Sequence, residues 1–117
     1  MGIVAQNMGI VYLLWGEGTM SFKIGFTRED VHYRAAIIEA YSPVRILIQG
    51  TFAGTLNDER VLHLQLHRFR SHGEWFVLPE NVVWDLLAHF GALEQDERKH
   101  LTKPYTYTPA EMGQGIY

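Results

Sequence analysis

The first apolar residues of the chain fall in two short runs, 11–15 and 22–26, on either side of a Gly-Glu-Gly-Thr stretch. Strand-forming residues around a glycine-containing turn predict a β-hairpin, with one strand near 10–16 and the other near 20–26. Each run also contains one polar residue, Tyr12 in the first and Lys23 in the second. These two side chains lie either at the solvated edge of a small sheet or in a functional site.

A first helix is predicted after the hairpin. Thr27 is a candidate N-cap, with Asp30 in the position of a weak capping box. Apolar residues then recur at helical spacing and end before a Ser-Pro pair; they are Val31, Ala35, Ile38 and Tyr41. The segment therefore predicts an amphipathic helix that packs on the sheet.

Two more helices are predicted further along the chain. One covers about 57–70, is capped by Thr55 or Asn57, and carries a stripe of apolar residues on one face; the stripe consists of Val61, Leu62, Leu66 and Phe69. The other covers about 79–90, with Pro79 at its start and Gly91 as its stop.

Strands are predicted on both sides of the second helix. The segment 44–53 is rich in β-branched and apolar residues, and Glu-Trp-Phe-Val-Leu at 74–78 forms a short strand. The order is then β-β-α-β-α-β-α, which predicts a small α+β domain with a mostly antiparallel sheet flanked by helices. We assign residues 1–92 to this domain and residues 93–117 to a polar C-terminal tail.

Composition narrows the class of protein. The chain has 117 residues, of which 47% are hydrophobic, and it contains no cysteine. These values are typical of one globular domain and exclude disulfides and thiolate zinc sites. Because no apolar run approaches the roughly 20 residues of a membrane helix, and the N-terminus resembles no secretion signal, we expect a cytoplasmic protein without membrane contact.

Charge is unevenly distributed along the chain. The formal net charge is −3, but residues 22–70 carry seven Lys and Arg against five acids, whereas residues 71–117 carry three bases against seven acids. A mildly basic body of this kind is compatible with a polyanion bound on one face, although an ordinary solvated surface explains the same distribution.

The second predicted helix carries candidate metal ligands. Glu59, His63 and His67 recur at i, i+4 and i+8, which places all three near one helix face. Carboxylate and imidazole are common metal ligands, but the same pattern also fits a polar stripe with a partly buried histidine. Trp75 and Phe76 fit the core of a short strand better than a platform for base stacking.

Together these motifs resemble the GIY-YIG nuclease superfamily, in particular a small branch with a closing Gly-Glu-Trp-Phe motif. "GIVYLL" is similar to the first family element and "FKIGFT" to the second, with eleven residues between Tyr12 and Lys23. Arg34 follows Lys23 by eleven residues, where the family has an arginine. The block "ERVLHLQLHRFRSHGEWF", 59–76, is similar to the branch pattern and implies that Glu59 is the metal-binding glutamate.

The resemblance implies a metal-dependent endonuclease that hydrolyses DNA phosphodiester bonds. Its implied catalytic residues are Tyr12, Lys23, Arg34, Glu59 and His63, with one Mg²⁺ or Mn²⁺ bound by Glu59. An arginine supplies a permanently charged fork for phosphate oxygens, and a carboxylate can hold a divalent cation whose shell the phosphate completes. A tyrosine can relay a proton, although its ordinary pKa near 10 makes it a weak base.

Lys23 departs from the family pattern, because better-known members have a second tyrosine at this position. A lysine acts as a general base only when its pKa is strongly depressed; otherwise it contacts phosphate, and Tyr12, His63 or the metal must activate water. Two alternatives therefore stand beside the nuclease. One is a DNA-binding module without catalysis that uses Lys23, Arg34, Arg68 and Arg70. The other is an interaction protein, with a protein partner or a second copy of the chain.

Overall fold

The computed structural model describes residues 7–90, which form an α+β domain with a five-stranded antiparallel sheet and three α-helices. The strands are β1 Gly9–Gly16, β2 Ser21–Thr27, β3 Ile46–Gly54, β4 Arg70–His72 and β5 Trp75–Val77. The helices are α1 Val31–Ala40, α2 Leu56–Gln65 and α3 Glu80–Phe90, with a 3₁₀ turn at His67–Phe69. The expected class, a small α+β domain with an antiparallel sheet, is confirmed.

The strands are arranged in the order β3-β1-β2-β5-β4, and each pair of neighbours is antiparallel. The predicted element order is incomplete because it lacks β4, whose first residue, Arg70, was placed at the end of the second helix. In the structure α2 ends at Gln65, and Gly73 has a φ of 54° between β4 and β5. Since glycine adopts this backbone region readily, the chain turns there and forms a hairpin.

Alternate residues of β1 divide the core into two layers, as expected for a strand with helices on both faces. Val11, Leu13 and Trp15 belong to the larger layer, beneath α2 and α3. Tyr12 and Leu14 face the smaller layer, where α1 and the start of β3 contribute Ala35 and Ile46. The central strand is therefore buried on both sides, and Tyr12 lies within the core.

Helix α1 begins later than the sequence predicts. Asp30 is the N-cap, since its side chain accepts a hydrogen bond from the backbone N–H of His32. The Thr27 hydroxyl instead accepts from the backbone N–H of Glu29 in the preceding turn. The helix ends at Ala40, so Tyr41 follows it and is 90% exposed rather than packed on the sheet. This start places Arg34 in the first turns of α1.

Helix α2 begins with a complete capping box. The Thr55 hydroxyl accepts from the backbone N–H of Asp58, and the Asp58 carboxylate accepts from the backbone N–H of Thr55 at 2.8 Å. We expect Thr55→Ala to lower the free energy of unfolding by about 1 kcal/mol, because helix N–H groups lose their acceptor. Thermal unfolding followed by circular dichroism measures this change.

Asn57→Ala is the matched control, because Asn57 was the alternative cap and lies exposed in the first turn of the helix. Its replacement should change stability much less than that of Thr55. Equal losses for both variants would contradict the assignment of Thr55 as the stabilising cap.

Within residues 7–90, no helix is long and apolar enough to cross a membrane. The predicted stop at Gly91 and the polar tail over 93–117 lie outside the described residues.

Candidate functional site

Tyr12 and Lys23 lie on the same face of the sheet. In the antiparallel register Tyr12 is opposite Gly25 and Leu14 is opposite Lys23. Phe22 and Ile24 point into the larger core layer, so the residues between and after them, Lys23 and Gly25, face the side of Tyr12. The hairpin therefore presents a phenol and an ammonium toward α1.

Gly25 provides the space in which the Tyr12 ring lies. A Cβ added at Gly25 would be 2.3 Å from the Tyr12 hydroxyl oxygen and 2.4 Å from its ring carbon Cζ. We expect Gly25→Ala to lower the free energy of unfolding by about 1–3 kcal/mol, because the ring must leave its buried position. Urea unfolding of the purified variant measures the loss.

A double-mutant cycle provides the control for this prediction. Combined with Tyr12→Leu, which removes the conflicting atoms, Gly25→Ala should destabilise much less than it does alone. Additive losses would show that Gly25 does not serve to accommodate Tyr12.

Arg34 of α1 meets Tyr12 across this face. The guanidinium donates a hydrogen bond to the phenol oxygen, and this contact raises the pKa of Arg34. Burial nevertheless raises the pKa of Tyr12 above its usual value, more strongly than the Arg34 hydrogen bond lowers it. Tyr12 is 1% exposed. At neutral pH the pair is thus a neutral phenol and a guanidinium cation.

The Nε atom of Arg34 has an unusual environment. It is buried, and no hydrogen-bond acceptor among residues 7–90 reaches it. A buried donor without a partner is destabilising, and native proteins rarely retain one unless water or a ligand supplies the acceptor. Arg34 therefore presents a donor suited to an anion oxygen next to the Tyr12 hydroxyl.

Lys23 forms an ion pair with Glu74, a residue absent from the predicted site. Their Nζ and Oε1 atoms are 2.9 Å apart, and the Lys23 side chain is 13% exposed. The same ammonium lies 5.8 Å from the centre of the Trp75 ring. Trp75 is the residue opposite Lys23 in the pairing of β2 with β5. Glu74 and Trp75 are thus central parts of the site. The Gly-Glu-Trp-Phe motif contained both residues, but nothing in the sequence placed its glutamate beside Lys23.

Helix α2 reaches β2 beside the start of β5, where the pairing of these two strands stops. Pairing between β2 and β5 ends at Lys23 and Trp75, and the next N–H of β2, that of Ile24, donates to the Glu74 carbonyl. The carbonyl oxygen of Ile24 contacts His63 of α2, whose Nε2 atom lies 2.8 Å away. Because a carbonyl oxygen only accepts, Nε2 must carry a hydrogen and donate it. In this orientation Nε2 positions α2 against the sheet and has no lone pair for a metal.

Glu59 is the third part of the site contributed by a helix. It is 5% exposed, and its Oε1 atom lies 3.8 Å from Nε2 of His63. Burial raises the pKa of Glu59, and the nearby Glu74 carboxylate raises it further, whereas His63 and Lys23 oppose the shift. Lys23, Glu59 and Glu74 therefore interact within one site, and both carboxylates also act on Tyr12.

The helix face predicted to carry Glu59, His63 and His67 does not form. Because α2 ends at Gln65, His67 lies in the following 3₁₀ turn and is exposed, away from the helix face that carries Glu59. Within the described chain no group of three or more His, Asp or Glu side chains is arranged to hold a metal.

Glu59 can supply one carboxylate ligand of a divalent cation. Mg²⁺ is commonly held by one or two carboxylates, several waters and the phosphate of a substrate, whereas structural zinc requires four protein ligands. Glu74 is already paired with Lys23. The donor set therefore fits Mg²⁺ or Mn²⁺ completed by a substrate, and it does not fit a preformed zinc site.

Several other predicted residues lie in structural contacts. Phe76 is fully buried in the larger core layer, as expected for a core residue of a short strand. The Arg68 guanidinium lies over the Phe69 ring, and Arg70 donates to the Gly73 carbonyl at 2.7 Å. Both arginines thus have local partners in the turn and hairpin that follow α2.

Comparison with protein-family models matches residues 9–91 to the T5orf172 domain. Neither the curated proteins nor the solved structures gave a significant match. The assignment to the GIY-YIG superfamily was wrong, because the matched family is a different one.

The short motifs behind that resemblance have local structural causes. Gly25 accommodates Tyr12, Gly73 adopts a positive φ in a turn, and Phe76 fills the core. Motifs of this length follow from strand packing and do not identify a superfamily, whereas the family model spans every described helix and strand of the sheet. The chain belongs to the T5orf172 domain family.

Proposed function

We propose that this domain is a metal-dependent endonuclease that hydrolyses DNA phosphodiester bonds. The observation that carries the proposal is the contact of Arg34 with the buried Tyr12, on which the carboxylates of Glu59 and Glu74 also act electrostatically. A module that only binds anions gains nothing from a buried carboxylate that acts on the same phenol as its arginine. A cation-assisted reaction on a phosphate uses both charges.

Arg34 is the proposed phosphate ligand. Its guanidinium is fixed by Tyr12, and its Nε atom is a buried donor with no acceptor among the described residues. Charged donors held in place before the reaction stabilise the negative charge that grows on phosphate oxygens in the transition state. Arg34 thereby acts on the reacting phosphate directly.

Tyr12 is the proposed partner of that phosphate on the strand side. Because burial raises its pKa, the phenol keeps its proton at neutral pH and serves as a hydrogen-bond donor rather than as a ready base. Its oxygen accepts from Arg34, which leaves the O–H free to donate to a phosphate oxygen or to the attacking water. Tyr12 therefore orients these groups.

Glu59 is the proposed ligand of Mg²⁺ or Mn²⁺. When bound, such a cation would neutralise charge on the leaving oxygen and lower the pKa of its own water. His63, held by the Ile24 carbonyl, lies 3.8 Å from this carboxylate, and Lys23, held by Glu74, acts on it electrostatically. We assign both to positioning the acidic half of the site.

A second candidate function is DNA binding without cleavage. It is favoured by the ion pair between Lys23 and Glu74 and by the neutral state of Tyr12, since neither side chain is then a ready base. In that case the domain would hold a phosphate at Arg34 and leave it intact.

Plasmid nicking separates the two functions. Purified protein is incubated with supercoiled plasmid in Mg²⁺, in Mn²⁺ and in excess EDTA, and open-circle product is measured over time. The nuclease proposal expects nicking that requires a divalent cation. Absence of nicking in both metals, with retention of labelled DNA in a binding assay, would instead support the second function.

A further inference from the structure

A large cavity adjoins the site on the side of Arg34. It has a volume of about 600 Å³ and lies between α1, the β1–β2 turn and the β4–β5 hairpin. Arg34 and Trp75, which both belong to the site, also line this cavity, together with Tyr41, His72 and Ser21. A recess of this size is typical of a small-molecule subsite, and here it opens from the proposed phosphate position.

The wall of the cavity combines aromatic and hydrogen-bonding groups. Trp75 is half-buried, whereas Tyr41 is 90% exposed at the point where the chain leaves α1. Ser21 and His72 add polar groups to a lining that otherwise includes Ile37, Ile38 and Val44. Flat aromatic surface with a few polar groups is suited to a heterocyclic ring with polar edges.

The charges near the site give little attraction for a DNA duplex. Lys23 and Arg34 are offset by Glu59 and Glu74, and Lys23 is already paired with one of these acids. Binding of duplex DNA is dominated by contacts of many basic residues with phosphates. With its charges balanced, this site needs a contribution from the bases, and bases are accessible for stacking only when they are unpaired.

We propose that this cavity is a subsite for an unpaired nucleobase, which lies against Trp75 and Tyr41 while its phosphate lies at Arg34. The preferred substrate is then single-stranded or locally unpaired nucleic acid. The inference rests on the proposed function, because the phosphate that directs the base into the cavity is the one to be cleaved.

Fluorescence anisotropy in EDTA tests the subsite without any cleavage. The probes are a short labelled DNA single strand, its matched duplex, and the same single strand with abasic residues at its centre. We expect the intact strand to bind about 10-fold more tightly than either other probe, since stacking contributes about 1–3 kcal/mol per base. Trp75→Leu should weaken binding of the intact strand about 10-fold and leave binding of the abasic strand unchanged.

Two further variants make this result specific. Tyr41→Ala should also weaken binding of the intact strand. Because Tyr41 is highly exposed, this variant should fold normally and so tests the subsite even if Trp75→Leu misfolds. Trp84→Leu is the matched control, since Trp84 lies on α3 and does not line the cavity. It should bind all three probes as the wild type does.

The outcomes separate this inference from the proposed function. Equal affinity for the three probes, unaltered binding by Trp75→Leu and Tyr41→Ala, or no DNA binding at all would overturn the base subsite. Metal-dependent nicking would still support the nuclease in the first two cases. Conversely, base-dependent binding by a protein that cleaves neither the plasmid nor the labelled single strand in Mg²⁺ or Mn²⁺ would support the subsite and contradict the proposed cleavage.

Discussion

Arg34→Ala should reduce the rate of metal-dependent plasmid nicking by about 100- to 1,000-fold, which is the usual effect of removing one donor that stabilises transition-state charge. The variant loses the fork that would contact the phosphate, and it also loses the donor to the Tyr12 oxygen. Both effects act at the reacting group, so kcat should fall much more than affinity for DNA. Single-turnover kinetics at saturating enzyme measure this change.

Arg34→Lys and Arg45→Ala are the controls for that result. The lysine variant keeps a positive charge but cannot form the fork, so we expect it to recover only a small part of the lost rate. Arg45 is an exposed arginine just before β3 with a long contact to Glu39, and its loss should leave the rate unchanged. Equal nicking by Arg34→Ala and the wild type would remove Arg34 from the catalytic residues.

The elements that depend on local periodicity were predictable from the sequence. Two runs of strand-forming residues around a glycine-containing turn predicted the first hairpin to within one or two residues. Helical spacing likewise found α1 and α2, and Pro79 marked the start of α3. These signals are local, because a side chain's direction along a strand or helix depends on the position of its own residue.

The missed element depends on contacts between distant segments. Residues 66–70 continue an apolar and polar spacing that suits a helix, yet the chain leaves α2 after Gln65 and returns as β4. Strand β4 is stabilised by pairing with β5, which in turn pairs with β2. No local pattern contains that information, since a strand of only three residues forms when the edge of a neighbouring strand is available for pairing.

The site was missed in part for the same reason. Tyr12, Lys23, Arg34 and Glu59 were identified as candidates, but Glu74 was not, because its place beside Lys23 depends on where β5 stops pairing with β2. The direction of the His63 ring likewise depends on a backbone carbonyl in another element. Burial of Tyr12 and Glu59, which raises the pKa of each, also depends on tertiary packing and not on the spacing of residues along the sequence.

Glu59→Gln should abolish metal-dependent nicking, with a loss of about 100-fold or more, while it makes the folded protein more stable at neutral pH. The first effect follows because a neutral amide is a poor ligand for Mg²⁺, and Glu59 is the proposed carboxylate ligand. The second follows because burial raises the pKa of Glu59, so the folded state disfavours the charge that the unfolded state carries freely.

The pH dependence of stability distinguishes this explanation from a simple loss of contacts. A carboxyl whose folded pKa lies above its unfolded pKa destabilises the fold only when ionised, so the penalty is absent below its unfolded pKa and grows as pH rises through the folded pKa. Wild type and Glu59→Gln should therefore have nearly equal midpoints of unfolding in acid, and the variant should exceed the wild type at neutral and alkaline pH. Asp85→Asn, an exposed carboxylate on α3, is the control and should show no such divergence. If Glu59→Gln loses both activity and stability at neutral pH, the carboxylate stabilises the fold and the explanation is wrong. Loss of nicking with a gain in stability is the result expected of a buried acid that is retained for function.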